Sequence, residues 1–180
     1  MEQSNFVREL PTPPGIADEK AVRGRYGLLT RRLIALGKTI TFMESCTGGQ
    51  LSSLITDTEG SSAVLKGALV TYRNEAKILH GVPKELLEQY GVYSSQTACA
   101  MAQAALSLYR ADMAVGVTGS FGNVDPNNPD SVPGEAYFAV ATPQGVRAFH
   151  LSVPPQPTRL HYKLCMANAI AGVLLADLEA

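Results

Sequence analysis

The segment "TITFMESCTGGQLSS", residues 39–53, joins an apolar, β-branched run to a short polar stretch that contains two glycines. The run that ends at Glu44 is typical of a buried strand, and the stretch after it is typical of a tight turn that begins a helix. This turn presents two potential nucleophiles, Ser45 and Cys46, beside the first amides of that helix. Such a turn can hold an anion, attack a substrate, or serve only to connect the strand and the helix.

Predicted helices and strands alternate along the rest of the chain. Apolar residues at helical spacing predict a helix over 17–36 that ends at Gly37, and a second helix over about 48–56 follows the first strand. The remaining predicted elements are a strand near 65–72, helices over 74–80, 83–91 and 96–110 (the last capped by Ser94 or Ser95), a buried strand over 112–119, an antiparallel hairpin over 134–153, and a helix over 159–178. This order predicts an α/β fold, a three-layer αβα sandwich on a mixed β-sheet.

The length and composition predict one domain of ordinary size. The chain has 180 residues, of which 46% are hydrophobic and 17% charged, enough to bury a core. We expect the domain to span 17–180, preceded by a flexible, proline-containing lead-in over 1–16. The N-terminal residues lack the apolar segment of a signal peptide, which favours a cytoplasmic location.

The charge and cysteine content narrow the expected partners. A formal net charge of −1 gives no long-range attraction for nucleic acid or for a membrane surface, so a small molecule is the expected partner. The three cysteines form no CxxC pair and have no nearby histidines at metal-ligand spacing. The sequence therefore predicts neither a disulfide framework nor a metal site.

Three polar segments are candidates for a functional site, and each has a plainer interpretation. The turn at 45–49 places a hydroxyl beside helix-start amides, but serine and threonine also serve simply as helix caps. In "TYRNEAK", 71–77, Lys77 follows Asn74 by about one helical turn, although such a lysine commonly lies on a solvated face. The glycines of "VTGSFGN", 117–123, allow close approach to a ligand but are also common in connectors.

The long irregular stretch "GSFGNVDPNNPDSVPG", 119–134, exceeds an ordinary connection, which favours a functional or mobile loop. In open α/β sheets, ligands bind beyond the carboxyl ends of the strands, where both this loop and the turn after Glu44 are predicted to lie.

Together these segments resemble the C-terminal domain family of the competence-damage-inducible protein CinA, which includes nicotinamide mononucleotide deamidases. The resemblance runs from about residue 39 onward, through "ESCTGG", "GSSAVLKGALVTYRNEAK", "GVP", "GVYSSQTACAMA", "AVGVTG" and "GEAYFAVA". The long loop departs from it, since relatives usually read "TGIAGPGGG" and "KPVGTVY" where this chain has "TGSFGNVDPNNPDSVPGEAY".

The resemblance implies an amidohydrolase that converts nicotinamide mononucleotide to nicotinate mononucleotide and ammonia without a cofactor. It implies Ser45 as the nucleophile, Lys77 as the catalytic lysine and Tyr72 as an assisting tyrosine. Because a free lysine has a pKa of about 10.4, Lys77 can act as a base at neutral pH only if it is desolvated or lies near another cation, and we predict that it is buried. A homo-oligomer is also expected.

The resemblance further implies a set of substrate-binding residues: Thr47, Gly48, Gly49, Asn74, Thr118, Gly119 and Arg159. Arg159 matches an arginine that relatives carry in a "GDR" segment, and its planar guanidinium suits a phosphate. Here the segment reads "PQPTRLHYK", without the glycine and aspartate, and Lys163 stands where relatives often have a second arginine.

Other polar residues have open or structural interpretations. Glu44 either orients the site or bonds to backbone, and Cys46 is expected to be a small buried residue pointing away from Ser45. The three histidines, His80, His150 and His161, have no acidic partner nearby in sequence and are expected to be structural or exposed. The alternative function is a non-catalytic nucleotide-binding or regulatory module, in which the glycines of the two turns hold a phosphate and Ser45 only donates a hydrogen bond.

Overall fold

The computed structural model describes residues 7–179. The helices are α1 Glu19–Leu36, α2 Gln50–Thr56, α3 Asn74–Leu79, α4 Lys84–Tyr90, α5 Ser95–Tyr109 and α6 Arg159–Glu179. The strands are β1 Val7–Glu9, β2 Ile40–Glu44, β3 Leu65–Val70, β4 Met113–Gly119, β5 Glu135–Thr142 and β6 Gly145–Ser152. All elements expected from the sequence are present within about two residues of their predicted bounds, and Ser94 caps α5 by accepting a hydrogen bond from the amide of Thr97.

The strands form one mixed sheet in the order β1-β6-β5-β4-β2-β3. β2 pairs in parallel with both β3 and β4, whereas β4, β5 and β6 pair antiparallel. The parallel pairs require crossover connections, which α2 and the α3–α5 segment supply, while the β5–β6 hairpin needs only a short turn. The predicted α/β sandwich on a mixed sheet is confirmed.

Alternating side chains assign each face of the sheet to its own helices. On one face, Ile40 and Phe42 of β2 pack with residues of α1, α2 and α6. On the other face, Met43 packs with Met101 of α5 and Leu87 of α4. A strand covered on both faces is buried at every position, as all five residues of β2 are.

α5 approaches the sheet unusually closely at Gly116 of β4. A Cβ atom at this position would lie 2.3 Å from the carbonyl oxygen of Ala98 and 2.4 Å from the amide of Ala102, both in α5. Only glycine in the strand and small residues on the helix permit this spacing, so the alanines of α5 serve packing as well as helix propensity.

The prediction of a flexible lead-in over 1–16 is wrong for Val7–Glu9, which form the edge strand β1 in parallel with β6. His150 of β6 contacts the carboxylates of Glu9 and Glu135, an ionic arrangement that the sequence did not indicate. Although partial burial opposes its protonation, these carboxylates raise the pKa of His150. Residues 1–6 of the predicted lead-in lie outside the described residues.

The sheet brings two predicted functional segments together at the carboxyl ends of neighbouring strands. β2 and β4 are parallel neighbours, with Glu44 in register with Val117, so the turn after Glu44 and the loop after Gly119 leave the sheet side by side. The amide of Ser45 donates to the carbonyl oxygen of Val117 at 3.0 Å, which fixes the start of the turn. Within residues 7–179, no helix is both long and apolar enough to cross a membrane.

Candidate active site

A cavity of about 550 Å³ opens at the carboxyl ends of β2 and β4. Ser45 forms part of its floor, and the predicted residues Tyr72, Asn74, Gly119 and Arg159 contribute to its walls. Gly119 leaves no room for a side chain, since a Cβ atom there would lie 2.6 Å from that of Ala136. The structure thus gathers residues from four separate segments around one cavity.

Ser45 and Lys77 form a buried pair, although 32 positions separate them in the chain. The Lys77 Nζ lies 3.0 Å from the Ser45 Oγ and donates a second hydrogen bond to the carbonyl oxygen of Thr71 at 2.8 Å. The Lys77 side chain is fully buried, which confirms the predicted burial. It reaches Ser45 because α3 follows β3, and β3 is the parallel neighbour of β2.

Burial lowers the pKa of Lys77 to about 8, against the opposing effects of Cys46, Asp125 and Glu75. An amine with this pKa is neutral in about one molecule in ten at pH 7, compared with well under one in a hundred for a free lysine. The neutral amine has a lone pair that can accept the Ser45 proton. The pair therefore has the chemistry of a nucleophile with an adjacent base.

Cys46, the other potential nucleophile, is part of the main hydrophobic core. Burial raises the pKa of its thiol to about 12, so the thiol is protonated at neutral pH. Because the thiolate is the reactive form, the Cys46 thiol is a poor nucleophile even though it also lines the cavity, and Ser45, which is paired with Lys77, is the better candidate.

The buried carboxylate of Glu44 holds the turn together. One oxygen accepts from the Thr47 hydroxyl at 2.7 Å and from the amides of Gly49 and Leu51 at 3.0 Å each. The other accepts from the amide and hydroxyl of Ser52 at 2.9 and 3.0 Å. Of the two interpretations left open by the sequence, the structure shows bonding to backbone: Glu44 supplies the negative charge that a helix start favours.

This arrangement corrects part of the predicted binding set. The helix-start amide of Gly49 is occupied by Glu44, and Gly48 donates its amide to the carbonyl oxygen of Ser45. The hydroxyls of Thr47 and Thr118 are buried in internal hydrogen bonds, that of Thr118 to the carbonyl oxygen of Val92. None of these four residues is part of the cavity lining, and the Gly49 amide is not free to bind a phosphate, while a binding role for the rest of the turn stays a prediction.

Replacing Glu44 with alanine is expected to lower the free energy of unfolding by about 3–5 kcal/mol, because several buried donors lose their acceptor together. Urea denaturation followed by circular dichroism measures this loss. Glu88 on α4, which is 64% exposed, offers a matched control, and Glu88→Ala should change stability by less than about 1 kcal/mol. Equal denaturation midpoints for Glu44→Ala and the unaltered chain would contradict the capping role.

Arg159 and Tyr72 form the outer part of the cavity. The Arg159 guanidinium donates to the carbonyl oxygen of Phe121 at 2.8 Å and to the Tyr72 hydroxyl at 3.4 Å. Among the described residues, no carboxylate pairs with Arg159. Its positive charge is therefore available to a ligand. The Tyr72 hydroxyl contacts Arg159 rather than Ser45 or Lys77.

Sequence reasoning missed the polar cluster of Tyr93, Asp125 and Asn128, all of which line the cavity. The Tyr93 hydroxyl donates to Asp125 Oδ2 at 2.6 Å, and the Asn128 side-chain amide donates to the same oxygen at 2.7 Å. Asn128 also accepts from Asn74 at 3.1 Å, which ties the long loop to α3. The length of the loop indicated function, but no motif identified these residues. No group of three or more metal-ligating side chains occurs in the part of the chain that the structure describes, and metal independence stays a prediction.

The chain is thus an α/β sandwich with a serine and a buried lysine at the carboxyl ends of its parallel strands. A family model, the CinA C-terminal domain, matches residues 26–174, and the chain belongs to that family. The resemblance seen in the sequence motifs is thereby confirmed.

Individual relatives show the same relationship. A competence-damage inducible protein of Streptococcus agalactiae is 42% identical over 118 residues, which are 64% of this chain but only 27% of that protein. The chain thus spans about a quarter of that relative's length. The nicotinamide-nucleotide amidohydrolase PncC of Escherichia coli is 44% identical over 114 residues, 63% of this chain and 68% of that protein.

Solved structures with the same fold include two competence-damage proteins. The competence/damage inducible protein CihA of Agrobacterium tumefaciens is 31% identical with a TM-score of 0.75, covering 95% of this chain and 99% of that one. A competence or damage-inducible protein of Enterobacter asburiae is 25% identical with a TM-score of 0.80, covering 87% and 98%. The sandwich is therefore shared along most of the chain.

Proposed function

We propose that the chain is an amidohydrolase that converts nicotinamide mononucleotide to nicotinate mononucleotide and ammonia. One observation carries the proposal: the buried Lys77 Nζ lies 3.0 Å from the Ser45 Oγ at the floor of the cavity. A site that only binds a nucleotide has no need of a desolvated amine beside a hydroxyl. The printed name of the Escherichia coli relative supports the choice of substrate.

In the first half of the proposed reaction, neutral Lys77 keeps one N–H bonded to the Thr71 carbonyl oxygen and accepts the Ser45 proton on its lone pair. The Ser45 Oγ then forms a bond to the carboxamide carbon of the substrate. Lys77, now an ammonium, returns a proton to the departing nitrogen as the carbon–nitrogen bond breaks. Ammonia leaves, and an ester joins Ser45 to the nicotinoyl group.

In the second half, a water molecule attacks the ester carbon while Lys77 accepts its proton. The bond to the Ser45 Oγ breaks, and Lys77 returns the proton to that oxygen. Each half passes through a negatively charged oxygen that needs hydrogen-bond donors. Since Glu44 occupies the later amides of the turn, the amide of Cys46, a residue that lines the cavity, is the proposed donor.

Arg159 is the proposed phosphate ligand. Its guanidinium lines the cavity without a carboxylate partner in the described part of the chain, and planar N–H groups bind phosphate through paired hydrogen bonds. Tyr72 contacts that guanidinium and is proposed to assist from the cavity wall, together with Asn74 and Gly119. A cytoplasmic location and a homo-oligomeric state stay predictions.

Replacing Arg159 with alanine is expected to lower kcat/KM for the mononucleotide about 30-fold, because a charged hydrogen-bonded contact to phosphate is lost. The riboside, which lacks the phosphate, should change less than about threefold. Arg159→Lys should recover only part of the loss, since lysine restores charge without the planar fork.

The measurement is the ratio of kcat/KM for mononucleotide and riboside in each variant. Lys163→Ala is the matched control, because the Lys163 ammonium lies over Gly48 and is not part of the cavity lining. A ratio that Arg159→Ala leaves unchanged would remove Arg159 from the phosphate site.

The direct test of the proposed function is to incubate the purified chain with nicotinamide mononucleotide and to measure ammonia and nicotinate mononucleotide. Release of both in equal amounts is the expected result. Tight binding of the nucleotide without ammonia release would instead favour the alternative of a non-catalytic nucleotide-binding module.

A further inference from the structure

The loop after β4 places a carboxylate in the cavity wall. Asp125 lines the same cavity as Ser45 and Arg159. Its Oδ2 accepts from the Tyr93 hydroxyl and the Asn128 side chain, and its Oδ1 accepts from the amide of Asn127 at 2.9 Å. The Asp125 amide in turn donates to the Ser131 hydroxyl at 2.7 Å. The carboxylate is therefore held in one position before any ligand binds.

The negative charge of Asp125 has no ion-pair partner in the described part of the chain. Its donors are neutral groups, and among the described residues no lysine, arginine or histidine forms an ion pair with it. Partial burial opposes ionisation, but the hydrogen bonds outweigh it and lower the pKa of Asp125 to about 2. The carboxylate is ionised at any pH at which Lys77 can act.

Two opposite charges thus line one cavity without pairing with each other. Arg159 contacts the Phe121 carbonyl oxygen, Asn123 and Tyr72, whereas Asp125 contacts its own loop and Tyr93. The other charged pair of the lining, Arg73 and Glu75, is mutually neutralised and exposed. A cavity with one free charge of each sign complements a ligand that is itself positive at one end and negative at the other.

We propose that Asp125 is a specificity-determining residue that selects substrates with a positively charged aromatic ring. This inference rests on the proposed function, because the N-glycosylpyridinium ring of nicotinamide mononucleotide carries a positive charge and its phosphate carries the negative one. Asp125 would attract the ring while Arg159 binds the phosphate, which directs the carboxamide toward Ser45.

The attraction between Asp125 and a cationic ring also affects the protonation of Lys77. Asp125 is one of the groups that raise the pKa of Lys77, so in the empty cavity it disfavours the neutral amine. A bound pyridinium ring offsets the charge of Asp125, which lowers the pKa of Lys77 and increases the fraction of neutral amine. The cationic substrate therefore favours the protonation state that its own hydrolysis needs.

The test compares two ligands of similar shape by calorimetric titration of the Ser45→Ala chain at pH 8: nicotinamide mononucleotide, whose ring is cationic, and its 1,4-dihydro form, whose ring is uncharged and whose phosphate is the same. We expect the cationic form to bind on the order of tenfold more tightly. Adding Asp125→Asn should reduce this preference to about twofold or less, mainly by weakening binding of the cationic form. Asp130→Asn in the same loop is the control, because Asp130 lines the neighbouring cavity instead, and it should keep the preference.

Equal affinities in the Ser45→Ala chain, a preference that survives Asp125→Asn, or binding of neither ligand would each overturn the inference. The first and last of these outcomes need no loop variant and so do not depend on whether Asp125→Asn folds. Failure of the proposed function looks different. If Asp125→Asn abolishes the charge preference, but the chain with Ser45 intact releases no ammonia, the role of Asp125 is supported and the amidohydrolase activity is refuted.

Discussion

Replacement of Ser45 with alanine is expected to lower kcat for ammonia release from nicotinamide mononucleotide by at least about 10⁴-fold, because the covalent route is lost with its nucleophile. The fold should be unaffected, since Ser45 is a small side chain whose backbone contacts, including the bond from its amide to Val117, remain. Nucleotide binding should also persist, because the proposed phosphate ligand is untouched.

The measurement is ammonia release at saturating substrate, together with thermal denaturation of each variant. Cys46→Ala is the control for the neighbouring position, and it should keep most of the activity because the Cys46 thiol is buried and protonated. Comparable turnover in Ser45→Ala and the unaltered chain would refute the proposed mechanism.

Replacement of Lys77 with methionine is expected to lower kcat/KM about 10³-fold, the range typical for loss of a general base. Methionine has a similar length and carries no charge, so the variant should be at least as stable as the unaltered chain, because burying an ammonium is costly. Activity and stability should thus change in opposite directions, which a merely structural lysine would not produce.

The pH profile of the unaltered chain provides the second readout for Lys77. Only the neutral amine can accept the Ser45 proton, so kcat/KM should rise with pH and level off above about pH 8. The free energy of unfolding should also rise with pH, between the lowered Lys77 pKa of about 8 and the ordinary lysine value. In that interval Lys77 is protonated in the unfolded chain but neutral in the folded one, so the unfolded chain binds more protons. A flat activity profile from pH 6 to 10 would exclude Lys77 as the base.

The sequence predicted the elements well because their signals are local. The apolar run of β2, the glycine after α1 and the serine cap of α5 each depend on a few neighbouring residues. The edge strand β1 was missed for the opposite reason. It has only three residues, it lies in a proline-containing segment, and its partner β6 lies about 140 positions away.

The site was predictable only where a motif marked it. The burial of Lys77 followed from the chemistry expected of the family, but its contact with Ser45 depends on the parallel pairing of β2 and β3, which no local pattern specifies. The glycines after Ser45 suggested an anion site, whereas Glu44, a residue of the strand itself, supplies the anion internally. Asp125 lies in the loop that departs from the family pattern, and its position depends on hydrogen bonds from Tyr93 and from its own loop that no motif indicates.

The close approach of α5 to Gly116 limits how far the parts of the site can move. A side chain at position 116 would clash with the backbone of α5, so α5 packs directly against β4 with no gap between them. Ser45 is bonded to β4, and Asp125 is bonded both to its own loop and to Tyr93, which lies two residues before α5. The nucleophile and the negative wall of the cavity are therefore both anchored to the same closely packed elements, so we expect the distance between them to change little when a ligand enters.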